Sequence, residues 1–310
     1  MNGMLLAAGR GARMEPLSSC IAKPALPVLG RPLLSSSLDH LRAAGCLRIA
    51  ANLHRHPDQV ASALAVAAAG GPPVLLSRER ELLGGAGGVA AARGVLGQGP
   101  VLVANADVWT ALDLAPLLAA MADDAIVLGL LPHPDPARWS SVLLEEDGRV
   151  AALVGAGKPV DSTPFLFTGF QLVGAAVVAA LPPPPGEWRP VWAAAQRRGA
   201  LRGAVVSGRW CEAGTPGAYR ELVVAELGGA AWAAAGAVLA GGSALTRSAV
   251  EAGCTVGCGA KVIDSVLLPA AAVGRAARVE RCVVVGPAHI AAGEEVADTL
   301  VLPDRREPLH

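Results

Sequence analysis

The stretch Met4-Leu5-Leu6-Ala7-Ala8-Gly9-Arg10-Gly11-Ala12-Arg13-Met14 reads as a short apolar strand running into a glycine-bearing loop that carries two arginines. Gly9 and Gly11 lack Cβ atoms, so backbone N–H groups at this point can approach phosphate oxygens closely. A dinucleotide fingerprint of the form GxGxxG needs a third glycine three residues after Gly11, and Met14 stands there instead. Lys23 follows in Lys23-Pro24, before Leu26-Pro27-Val28, so one loop offers the cations Arg13 and Lys23. Two cations suit a triphosphate whose α-phosphorus is attacked and whose pyrophosphate must leave.

Outward from this loop, apolar runs alternate with longer amphipathic or alanine-rich segments in the βαβ manner. Strands are expected at 4–8, 47–52, 73–77, 101–104 and 126–131, and helices at 32–44, 57–69, 86–96 and 112–122. The pattern predicts an α/β fold: a Rossmann-like domain with a mainly parallel sheet and ligands beyond the carboxyl ends of its strands. That puts the site in the loops after Ala8, Ser77 and Ala104. Strands at 141–145 and 165–173 would extend the sheet and help to build a ligand pocket.

The last third changes character. Val250, Val256, Val262 and Leu268 recur at six-residue steps, followed by Val273 and Val279, then by Ile290, Val296 and Leu302. This period fits a triangular coil of short parallel strands, a left-handed parallel β-helix over 235–303 behind a domain over 1–229. Flat coil faces suggest a homo-oligomer formed through the β-helix. Removal of everything past Gly229 is expected to leave nucleotide binding intact.

Composition narrows the partners. Twenty-six Lys and Arg balance twenty-six Asp and Glu, so no global field attracts nucleic acid or an anionic membrane. No uncharged apolar stretch of about 20 residues appears, and the reading is a cytoplasmic protein. The six cysteines show no CxxC or zinc-ligand spacing.

Taken together, Leu6 to Val28 resembles the LAAGxGTRMxPLT…PKPLLPV signature of nucleotidyltransferases acting on sugar 1-phosphates. Similar elements follow in order: Asn52-Leu53-His54, the Leu83 to Gly88 glycine loop, Asn105-Ala106-Asp107, Gly157-Lys158-Pro159, Thr168-Gly169 and Trp210 to Pro216. The resemblance implies that Arg13 and Lys23 are catalytic and that Ala7, Ala8, Gly9, Gly11, Gly84, Gly85 and Gly87 bind the nucleotide. It implies a sugar-phosphate site of Asn105, Lys158, Thr168 and Gly169, and Mg²⁺ held by Asp107 and Glu212. The expected substrates are a nucleoside triphosphate and a sugar 1-phosphate, with GDP-mannose as the first product guess and UDP- or dTDP-sugars as alternatives. Ala12, Gly85, Ala106 and Glu212 replace the family's Thr, Thr, Gly and Asp. Those departures leave a second class open, a regulatory subunit that binds nucleotide sugar without turnover.

Overall fold

The computed structural model describes residues 1–309. The chain forms two compact units. One consists of Met1–Arg10 and Leu34–Trp210; the other joins Gly11–Leu33 to the residues from Cys211 onward.

In the first unit the strands are β1 (Asn2–Leu6), β2 (Ile49–Leu53), β3 (Val74–Arg78), β4 (Val101–Asn105), β5 (Ile126–Pro132), β6 (Ser141–Leu144), β7 (Val150–Val154), β8 (Phe165–Val173) and β9 (Leu201–Val205). They form one sheet in the order β7-β6-β8-β4-β1-β2-β3, with β5 pairing β8 and β9. The β4-β1-β2-β3 half is parallel, and β8 runs antiparallel to β4, β5 and β6. The strands of the parallel half connect through α1 (Ser35–Ala43), α2 (Pro57–Ala67) and α3 (Gly85–Leu96). Crossover helices cover the faces of parallel strands, which is why Met4, Ala50, Val101 and Val103 are all buried in one apolar cluster with Val89 and Leu96 of α3. The register pairs Leu6 with both Asn52 and Asn105, and Asn52 with Ser77. The loops after β1, β2, β3 and β4 therefore leave the same edge of the sheet.

One expected element differs. Residues 112–122 do not form a helix; Val108–Asp113 is a strand and only Ala115–Ala119 is helical. The Asp113 carboxylate accepts from Ala115 N at 3.0 Å, a local turn bond that competes with helix at this point.

The second unit contains a parallel β-helix. Its strands stack into three parallel faces, with Val250 beside Leu267, Val256 beside Val273 and Val262 beside Val279. Equivalent positions lie 17 residues apart, so the interior residues advance by steps of six, six and five: Val250, Val256, Val262, Leu267. This corrects the six-residue phase, because Leu267 and Val301, rather than Leu268 and Leu302, belong to the interior cluster. The shortened step falls at a corner where Arg247, Asp264, Arg281 and Asp298 all have positive φ. There Arg247 pairs with Asp264 and Arg281 with Asp298, each at 2.6 Å. Beside them Ser248 Oγ accepts from Ser265 N, and Ser265 Oγ accepts from Cys282 N.

No helix among the described residues is long and apolar enough to cross a membrane.

Candidate active site

At the shared strand edge of the first unit, a buried polar relay fixes the loops. Asn52 Oδ1 accepts from Ala7 N at 2.8 Å, at the root of the glycine loop. The Asn52 amide donates to Glu79 Oε1 at 2.8 Å, and Glu79 Oε2 accepts from Leu83 N at 3.0 Å. His54 Nδ1 lies 3.2 Å from the Glu79 carbonyl. Asn52 and Glu79 are 3% and 7% exposed, so these bonds form away from water, where leaving any one unmade is costly. Asn52→Ala strands the Ala7 N–H and one Glu79 oxygen. We expect a loss of about 2–3 kcal/mol in urea unfolding; a change below about 0.5 kcal/mol would show that the relay holds nothing.

Above the relay, each glycine of the Leu83–Gly88 loop is filled by protein. A Cβ on Gly84 would meet Glu187 Oε1 and Gly186 O at 2.6 Å, one on Gly85 the Trp188 ring at 2.5 Å, and one on Gly87 the Gly186 N at 2.7 Å. A Cβ on Gly88 would lie 2.6 Å from the Asn52 amide. Backbone bonds from Gly87 N to Gly186 O and from Gly186 N to Leu83 O lock the two segments together, both at 2.8 Å. The space beside Gly84, Gly85 and Gly87 is thus taken by residues 185–188. The same packing accounts for Gly85 where the family has Thr, since a side chain there collides with Trp188.

Gly9 is different. It is exposed, and a Cβ there would meet nothing within 4 Å. Ala7 and Ala8 beside it are buried. At the end of β4, Ala106 N donates to Leu6 O at 3.1 Å, which sets half-buried Asp107 next to the strand that leads into the glycine loop. Ser37 Oγ donates to Asn105 O at 2.7 Å. Gly169 has φ +89, and a Cβ there would lie 3.1 Å from the Asn105 side chain. Gly9, Asn105, Asp107 and Gly169 are therefore brought to one edge.

Two sugar-phosphate assignments are not brought there. Thr168 is fully buried, and its hydroxyl donates to Gly129 O at 2.8 Å. Thr168 shares the strand face of buried Leu166, two residues before it, and its hydroxyl is spent inside the sheet. Lys158 is exposed in the turn after β7, its N–H bonded to Gly155 O.

Within the second unit, Arg13 and Glu212 meet at 2.5 Å; the arginine side chain is 67% exposed and the carboxylate 12%. Glu212, assigned to metal, here holds a guanidinium. Gly214 makes room for the pair, since a Cβ there would lie 3.3 Å from Arg13. Thr215 caps the helix α4 (Pro216–Glu226), its Oγ1 accepting from Ala218 N at 3.2 Å with Pro216 at the first turn. Lys23 is buried at the start of the short turn Lys23–Ala25. Gly11, at φ +63, takes the left-handed conformation that lets the loop turn, with Ser18 Oγ donating to its carbonyl at 3.0 Å.

Residues 2–171 match the model of a family described as "Nucleotidyl transferase". The chain belongs to the nucleotidyl transferase family. In this nucleotidyltransferase, residues 230–304 also match a "GlmU-like, C-terminal hexapeptide" model. An N-acetylmuramate alpha-1-phosphate uridylyltransferase of Caulobacter vibrioides is 30% identical over 234 residues, covering 69% of this chain and 91% of the relative. A second such uridylyltransferase, from Neisseria meningitidis, is 42% identical over 116 residues, covering 36% of this chain and 49% of its own. A mannose-1-phosphate guanylyltransferase of Mycobacterium tuberculosis is 30% identical, covering 50% of this chain and 44% of its own. The match spans less than half the length of each of these last two. Among solved structures, HddC from Yersinia pseudotuberculosis in complex with GMP-PN superposes with a TM-score of 0.61 at 21% identity, covering 71% of this chain and 96% of that one. That likeness supports the fold alone.

Glu79 and Gly186–Trp188 were not identifiable from sequence. Glu79 lies among Arg78, Arg80 and Glu81, and nothing in that run separates a buried carboxylate from solvated charges.

Proposed function

We propose that this transferase joins a nucleoside triphosphate to a sugar 1-phosphate, with UTP and an amino-sugar 1-phosphate as its substrates. The observation that carries the reaction class is the gathering of the exposed Gly9 backbone, Asn105 and Asp107 at the carboxyl edge of a parallel sheet. The choice of UTP rests on the Caulobacter uridylyltransferase, matched over 91% of its length. A second reading, GDP-mannose formation, is favoured by the guanylyltransferase relative, matched over a smaller share.

A sugar-phosphate oxygen attacks the α-phosphorus; the new P–O bond forms as the bond to pyrophosphate breaks and the pyrophosphate leaves with its charge. The nucleophile belongs to the substrate, so no Ser, Cys or His nucleophile is needed, and the protein's task is alignment and charge neutralisation. Arg13 and Lys23 neutralise phosphate charge. The N–H groups around Gly9 approach phosphate oxygens that a side chain would keep away. Asp107 offers a hard carboxylate oxygen, the donor type Mg²⁺ prefers, and one carboxylate beside substrate phosphates can suffice; Glu212 is the further carboxylate that the family resemblance offers. When bound, Mg²⁺ would add charge neutralisation at the phosphates. We further propose a cytoplasmic protein that assembles through its β-helix.

The test is pyrophosphate release with Mg²⁺, each of UTP, GTP, dTTP, CTP and ATP, and a panel of sugar 1-phosphates including mannose, N-acetylglucosamine and N-acetylmuramate. UTP-dependent release with an amino sugar is the expected result. Release only with GTP and mannose moves the assignment to the second reading. Silence across the panel, with nucleotide sugar still bound in calorimetry, points to a regulatory subunit.

A further inference from the structure

The loop carrying Arg13 and Lys23 packs with the second unit rather than with the sheet whose first strand it follows. Its ties are specific. The strands Pro27–Val28 and Arg31–Pro32 form a tight hairpin through Leu29 and Gly30, both at positive φ. At its tip Gly30 N donates to Glu251 Oε1 at 3.1 Å. The place where a Gly30 side chain would start is 3.2 Å from the Trp232 ring. Lower down, Tyr219 Oη donates to Pro27 O at 2.5 Å. Tyr219 is fully buried in α4, and Trp232 and Glu251 belong to the β-helix, Glu251 following directly on the strand Ala249–Val250.

Glu251 is only 3% exposed. Burial raises its carboxyl above the ordinary glutamate range, partly offset by the Gly30 N–H. A carboxylate in such a place costs stability unless something accepts the cost in exchange for order. An apolar residue would fill the coil corner without that cost, yet it could not hold the hairpin tip.

We propose that Glu251 is a positioning residue: from the β-helix it holds the tip of the 27–32 hairpin and thereby fixes the loop that presents Arg13 and Lys23. The inference rests on the catalytic reading of those two cations. It replaces the expectation that a chain cut after Gly229 keeps its nucleotide site intact, because Trp232 and Glu251 would both be lost. The β-helix is then part of the catalytic apparatus as well as a surface for assembly.

The experiment compares full-length wild type with Glu251→Leu, which keeps bulk and removes the acceptor, Glu251→Gln, which restores an oxygen acceptor, and Tyr219→Phe, which cuts the second tether. Hydrogen exchange followed by mass spectrometry is read over 11–33, with 262–301 as the folding control, alongside kcat for pyrophosphate release. In Glu251→Leu, exchange over 11–33 should rise about tenfold with the coil unchanged, and kcat should fall about tenfold or more. Glu251→Gln should recover most of both. Unchanged exchange over 11–33 in Glu251→Leu, or faster exchange with wild-type kcat, overturns the proposal. Should the leucine variant lose coil protection, Tyr219→Phe decides: faster exchange over 11–33 with lower kcat supports a tethered loop, and wild-type behaviour overturns it. A wild type silent with every substrate pair defeats the catalytic reading separately, while the exchange comparison still decides the anchor.

Discussion

Arg13→Ala will lower kcat/KM for pyrophosphate release by about a hundredfold to a thousandfold, the scale expected when one preorganised donor to a developing phosphate charge is removed. It will leave the melting temperature almost unchanged. The structural reason for that separation is exposure: the Arg13 side chain is 67% exposed, and its guanidinium pairs with the Glu212 carboxylate at 2.5 Å. An ion pair whose arginine keeps its solvent contributes about 0–1 kcal/mol to folding. Activity and stability should therefore part company, unlike the outcome at Asn52, where loss of the relay acts on stability first. Arg13→Lys should recover only a small part of the rate, since a point charge on a flexible stem does not reproduce a planar guanidinium fork. A parallel fall in melting temperature and activity would instead make Arg13 a structural residue, and the assay with thermal unfolding separates the two.

Much of the fold was legible because its signals are local. The apolar strand before Gly9 and the alternation through Leu131 report burial residue by residue, and the structure places strands at each of those runs within a few residues. The β-helix was legible from its aliphatic recurrence, but its true phase was not. The five-residue step depends on left-handed corner residues such as Asp264 and Arg281, which neither composition nor hydropathy marks. The site was less legible than the fold for a related reason. Thr168 was assigned to the sugar by its neighbours in sequence, whereas its hydroxyl is buried and bonded to Gly129 O inside the sheet. Gly84, Gly85 and Gly87 read as nucleotide-binding glycines, yet the space beside them is filled by a segment that lies about a hundred residues further along the chain. Glu251 was equally hidden: a single carboxylate in a hexapeptide repeat gains its meaning only when the hairpin tip at Gly30 reaches it.

Glu212→Ala should cost about as much activity as Arg13→Ala, for a different reason that a double-mutant cycle can expose. In this structure the Glu212 carboxylate is held by Arg13 at 2.5 Å. If substrate phosphates draw Arg13 away and leave Glu212 for Mg²⁺, the two residues act on different partners during turnover. Their losses in transition-state free energy should then add to within about 0.5 kcal/mol. Glu212→Ala alone should also raise the Mg²⁺ concentration for half-maximal rate, by about tenfold for each 1.4 kcal/mol of lost metal affinity, whereas Arg13→Ala should not move it. If the double variant is no slower than the slower single variant and the Mg²⁺ requirement stays fixed, the ion pair persists through the reaction. Glu212 would then be the residue that orients Arg13, and the metal site would rest on Asp107 and the phosphates. Glu212→Asp sharpens the choice. A carboxylate one methylene shorter keeps the charge and the metal-binding group but withdraws from Arg13, so retained activity argues for metal binding and lost activity for orientation.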